Sequence, residues 1–133
     1  FRVGITSATG GLFGFTAAHH LRFKHIPHYV AQAHEPEIWV ELQATTLDSV
    51  VEAAGVGAVD FIRLDLEGAE LPVLLSSPKS LRSARLLQVE VKVDGSYIGS
   101  NTTSARSFQQ ALHPFGWRLL WCSAAVRVNG GDG

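Results

Sequence analysis

The stretch Val59-Asp60-Phe61-Ile62-Arg63-Leu64-Asp65-Leu66-Glu67-Gly68-Ala69-Glu70 decides how the chain is read. Apart from Asp60 and Arg63, residues 59–64 are apolar on both sides of a two-residue alternation, which is how a strand covered on both faces by helices reads. Gly68 breaks the run. Residues 69–75 predict a helix with Pro72 in its first turn, where proline is tolerated. A further helical turn is expected at 79–84. Residues 86–91, Leu-Leu-Gln-Val-Glu-Val, predict a second strongly apolar strand. Apolar strands separated by helices imply an α/β sheet with right-handed crossovers.

Upstream, residues 37–42 alternate and place Ile38, Val40 and Leu42 on one face of a strand. Thr46 or Asp48 can then cap a short helix whose apolar positions are Val50, Val51 and Ala54, with Gly55 as a natural stop. Residues 16–37 form the least regular stretch, an excursion holding five of the six histidines: His19, His20, His25, His28 and His34. Pro27 and Pro36 interrupt any long helix there, and one short helical turn is expected at 29–33. The histidine spacing matches no compact zinc pattern, so ordinary surface or loop histidines and no metal site are expected. Residues 1–5 predict a short strand, 7–11 a turn, and 12–15 an extended path. Downstream, Asp94 and Gly95 predict a turn and 101–104 a polar loop. A helix follows over 105–112, with Ala105, Phe108, Ala111 and Leu112 on one stripe. Pro114 and Gly116 end it. Residues 117–122 and 125–128 read as two strands, and 129–133 as a frayed tail. No linker or repeat divides the 133 residues, so one domain is expected over 1–133.

Composition narrows the function. Eleven basic against twelve acidic residues leave a formal charge of −1, which advertises neither a nucleic-acid nor an acidic-membrane partner. Hydrophobic residues make up 46% of the chain, enough for a core. Cys122 is the single cysteine and can form neither an internal disulfide nor a cysteine zinc site. No apolar run approaches the length of about 18–20 residues that spans a bilayer, and no signal peptide is visible. A cytoplasmic location is therefore expected. Glycines near the start lack the spacing of a dinucleotide or P-loop motif. The absence of methionine and the Phe1 start point to a piece of a longer product.

The chemistry concentrates at Asp65-Leu66-Glu67-Gly68-Ala69-Glu70, at the carboxyl end of the first apolar strand. Ligands of open α/β sheets bind outside the carboxyl ends of the strands. Asp65 and Glu67 are two apart, so an extended chain points them the same way. Gly68 lets the backbone turn closely against a ligand or helix, and Glu70 falls in a first helical turn, where negative charge is favoured. Carboxylates so close repel. A cation, a positively charged substrate group, a basic partner or plain water would relieve them. A solvated loop with a helix-capping acid is the simpler alternative. Glu90, near the end of the next strand, would lie on the same rim as Asp65.

Thr45 to Leu74 resembles the core signature of the FkbM-type methyltransferases, which have the class I fold that uses S-adenosylmethionine. The resemblance rests on Thr46-Leu47-Asp48, on residues 59–70, and on Val73-Leu74. Arg63 stands where the family usually has lysine. Residues 86–90 are similar to the family's next strand, although the histidine often found nearby is absent. The strong match covers about 30 residues, and a looser one extends from about Phe1 to Val128. The family's earlier strands are not identifiable. These carry an acidic loop for the methionine part of the cofactor and an acid for its ribose. Residues 1–11 look like the third strand and its turn. The resemblance thus implies an incomplete Rossmann-like sheet lacking its N-terminal cofactor-binding strands.

On that resemblance the activity is methyl transfer from S-adenosylmethionine to a hydroxyl of a small molecule or sugar, with this portion inactive on its own. Asp65 is the first candidate catalytic residue, as base or substrate-orienting acceptor. Glu67 and Glu90 are further candidates for substrate or divalent-ion contacts. Asp65 and Gly68 are the candidate cofactor contacts. A base within the excursion, His25 or His28, is conceivable. Missing strands would leave an unpaired apolar edge, which invites self-association. A non-catalytic remnant that binds a partner through this edge is the alternative function.

Overall fold

A computed structural model describes residues 2–3, 12–27, 30, 38–91 and 105–123. In chain order the elements are β1 (Arg2–Val3), α1 (Ala17–Arg22), β2 (Ile38–Trp39), α2 (Leu47–Ala53), β3 (Phe61–Leu64), α3 (Glu70–Leu75), α4 (Pro78–Ser83), β4 (Leu86–Val89) and α5 (Ala105–Leu112), which runs into a 3₁₀ turn at His113–Phe115. Strands β3 and β4 pair in parallel, Phe61 opposite Leu86 through Leu64 opposite Val89. Helices α3 and α4 lie between them in sequence, as a parallel connection requires. The expected α/β class holds in this form. None of the described helices is long and apolar enough to cross a membrane.

The core forms where α3, α4 and α5 meet the sheet. Ile62, Leu74, Leu81, Phe108 and Leu112 are buried together, Leu74 with no exposed surface. Leu47, Leu64, Val89, Phe115 and Trp117 are among the half-buried residues packed around them. Phe108 and Leu112 are four apart and share the inward face of α5, as its stripe predicts. At Gly116 the chain takes φ 84° and leaves the 3₁₀ turn, a left-handed step glycine makes without a Cβ clash.

Helices α2 and α4 cap each other. The Thr46 hydroxyl accepts the Ser49 N–H at 3.1 Å and so caps α2 locally. Asp48 does not share that task. Its carboxylate crosses to α4 and accepts the N–H groups of Lys79 at 3.0 Å and Ser80 at 2.7 Å. In return the fully buried Ser77, just before α4, accepts the Leu47 N–H with its hydroxyl at 3.0 Å. Four helix-terminal donors that would otherwise lack acceptors are thereby satisfied. Lys79 and Glu52 add an exposed ion pair at 3.7 Å, a weak contribution.

Several expectations are corrected. Among the described residues, strand β3 is covered on one face: Ile62 is buried and Leu64 half-buried, whereas Phe61 and Arg63 are exposed. β2 does not join the parallel sheet. It pairs antiparallel with β1, an arrangement that needs no crossover helix. Ile38, Val40 and Leu42 are exposed, so their alternation marks no core face among the described residues. In α2 the residue packed on the core is Leu47, while Val50 is exposed. The excursion opens with a regular helix, α1, because Thr16 accepts the His19 N–H at 3.2 Å and nucleates it. Residues 117–122 form no strand. The apolar side chains there favour a pleated surface only when a neighbouring strand packs beside them, and Leu120 is 85% exposed. The expected turns at 7–11 and 94–95, the loop at 101–104, the strand at 125–128 and the tail fall outside the described residues. So does the turn at 29–33 apart from Val30, which is helical.

Candidate functional site

The site is built by the register of two strands. Leu64 lies opposite Val89, so the next residues, Asp65 and Glu90, leave the sheet side by side at the carboxyl ends of parallel strands. The ladder continues one step beyond the strands, with the Glu90 N–H donating to the Leu64 carbonyl at 3.2 Å.

The loop after β3 then turns sharply. Glu67 has φ 52° and Gly68 φ 100°, two successive residues on the left-handed side. This suits glycine. For glutamate it is uncommon and costs on the order of 1–3 kcal/mol. The turn swings Glu67 back toward the strand ends. Asp65, Glu67 and Glu90 each bring a carboxylate oxygen within 4.8 Å of the others, with Asp65 and Glu90 exposed and Glu67 half-buried. At this separation two carboxylates repel by about 1 kcal/mol in bulk water and more where solvent is partly excluded. The rim therefore favours a cationic group or a hard divalent ion, although exposed acids also gather without one.

Glu70 stands behind this rim. It opens α3 and is 2% exposed. Its carboxylate folds back over the loop, with Oε1 accepting the Leu66 N–H at 2.7 Å and the Gly68 N–H shared between Oε2 at 3.1 Å and Oε1 at 3.4 Å. Expecting a first-turn acid there accounts for the charge but misses these bonds to the loop. The available signal is an acid two residues after a glycine, placed to reach the preceding loop donors.

All three sequence candidates, Asp65, Glu67 and Glu90, thus meet at one rim. Gly68 is buried at the turn that forms it. The described histidines do not join them: among the described residues the acids form the one group with metal-ligand spacing. His19 is buried rather than on the surface, stacked on Phe15 with ring centres 4.0 Å apart and close to Phe23. This helical position four residues from each phenylalanine makes it part of an aromatic cluster. His25 is exposed, and His28 lies outside the described residues.

Asp48, in the first turn of α2, has a clearly altered affinity for protons. Desolvation raises its pKa, but hydrogen bonding from Ser80 and from the Lys79 N–H, together with the Lys79 charge, outweighs this and holds the carboxyl below the ordinary 3.8.

A search against protein families matches the description "Methyltransferase FkbM domain" over residues 4–115. No curated protein and no solved structure matches.

Proposed function

We propose, because the chain belongs to the FkbM methyltransferase domain family, that its acidic rim is the methyl-transfer end of a site for S-adenosylmethionine and a hydroxyl acceptor. The observation that carries this is the convergence of Asp65, Glu67 and Glu90 at adjacent parallel strand ends. In α/β sheets that is where ligands bind. The residues present fit the cofactor in charge: three carboxylates attract a sulfonium or ammonium cation, and Gly68 allows the backbone its tight turn. When bound, the cofactor supplies an electrophilic methyl carbon.

The chain's own groups do the rest. Asp65 accepts the proton of the acceptor hydroxyl, or orients that hydroxyl, as a general base does within hydrogen-bond reach. Glu67 and Glu90 hold the cation or the acceptor's other polar groups. Positioning of this kind supplies most of the rate in an in-line transfer. A small molecule or sugar is the proposed acceptor. The sheet is read as the C-terminal part of a Rossmann-like class I domain, which accounts for the exposed Phe61 and Leu86 on the two-stranded sheet.

Calorimetric titration with S-adenosylmethionine, with and without magnesium, tests the reading on chain shown to be folded by circular dichroism. Saturable binding that Asp65→Asn abolishes supports it. No binding by a folded chain sinks it for this chain alone. The second reading is a non-catalytic remnant that associates through its sheet. The exposed Phe61 and Leu86 on that sheet favour it. Concentration-dependent sedimentation without cofactor binding would select it.

A further inference from the structure

We propose that Glu70 is the positioning residue of the acidic rim: its buried carboxylate holds the left-handed Glu67-Gly68 turn in the one shape that brings Glu67 to Asp65 and Glu90. This rests on the methyl-transfer reading of the rim and adds a residue to it. Both carboxylate oxygens are used: Oε1 accepts from Leu66 at 2.7 Å and more distantly from Gly68 at 3.4 Å, Oε2 accepts from Gly68 at 3.1 Å, and the two donors bracket Glu67. A residue bracketed in this way cannot relax from φ 52° to a right-handed conformation without breaking one of the bonds. Glu70 is 2% exposed and its bond to Gly68 is buried, which keeps water from replacing that bond. A neutral amide at the same place would offer one oxygen and would turn an N–H₂ group toward the second donor. Aspartate is a methylene shorter and would not span both.

The experiment uses the full chain and its Glu70→Gln variant, with amide hydrogen exchange and S-adenosylmethionine titration as readouts. Loss of one charge-assisted bond should speed exchange about tenfold at Leu66 or Gly68, whichever donor the new N–H₂ group faces. Exchange at Leu74, in the core, should stay unchanged. Cofactor affinity should fall about tenfold in step. Unchanged exchange at Leu66 and Gly68 overturns the proposal. So does unchanged affinity in Glu70→Gln when Asp65→Asn loses binding. If Asp65→Asn also binds like the unsubstituted chain, the methyl-transfer reading fails instead, and the exchange rates decide the role of Glu70 in the turn. Should Glu70→Gln unfold, seen as lost protection at Leu74 too, Glu67→Gly is added to it. Glycine adopts the left-handed turn unaided, so the double variant should refold. A double variant no more stable than Glu70→Gln overturns the proposal.

Discussion

Asp48 accepts the Ser80 N–H at 2.7 Å across a separation of 32 residues. This bond ties the start of α2 to the start of α4, and Ser77 returns the favour to Leu47. α4 leads directly into β4, whose register against β3 pairs Leu64 with Val89. The rim depends on that register, because Asp65 and Glu90 are neighbours only while Leu64 faces Val89.

Asp48 makes stability fall in acid. Its folded pKa lies below the ordinary value of 3.8, so the unfolded chain takes up the proton first. The contribution is therefore complete above about pH 4–5, near the unfolded carboxyl pKa, and is lost as pH falls through the folded pKa. Urea unfolding from pH 7 to pH 2 should show this decline. Asp48→Asn should be less stable at pH 7 by about 1 kcal/mol and should have a flatter acid limb.

Ser77→Ala removes the acceptor for the Leu47 N–H and leaves that donor without its partner. A cost of about 1–3 kcal/mol is expected in chemical denaturation. Because Ser77 and Asp48 cap the same pair of helices, the double variant should lose less than the sum of the single losses, with a coupling of at least about 0.5 kcal/mol.

Gly68→Ala places a Cβ on a buried residue at φ 100°. Strain of about 1–3 kcal/mol should appear as a lowered unfolding midpoint. The deformed loop should also weaken cofactor binding in calorimetry. Leu74→Ala, by contrast, should cost about 2–5 kcal/mol of stability by opening a core cavity.

Asp65→Asn should separate stability from function. It relieves repulsion in the rim, so stability should hold or rise by up to about 1 kcal/mol. Glu90→Gln is compared with it for binding. Binding of S-adenosylmethionine should fall about tenfold or more, since a charge-assisted contact is lost. Parallel denaturation and titration curves check both directions. A large loss of stability in either variant would mark that acid as structural.

Much of the frame was legible in residue order alone. The Phe61–Leu64 and Leu86–Val89 strands, the α3, α4 and α5 helices and the stop at Gly55 follow from periodicity, proline and glycine placement, because those are local effects of the backbone. The candidates Asp65, Glu67, Glu90 and Gly68 were legible too, since they follow strands whose ends face a common rim. Tertiary structure alone decided which face of β3 is covered, that Leu47 and not Val50 meets the core, and that residues 117–122 find no strand to pair with among the described residues. It alone assigned Asp48 to α4, whose donors lie 31 and 32 residues away, and folded Glu70 back onto its loop. Periodicity records how one segment divides polar from apolar; it does not record which distant donor a carboxylate will meet once the chain is packed.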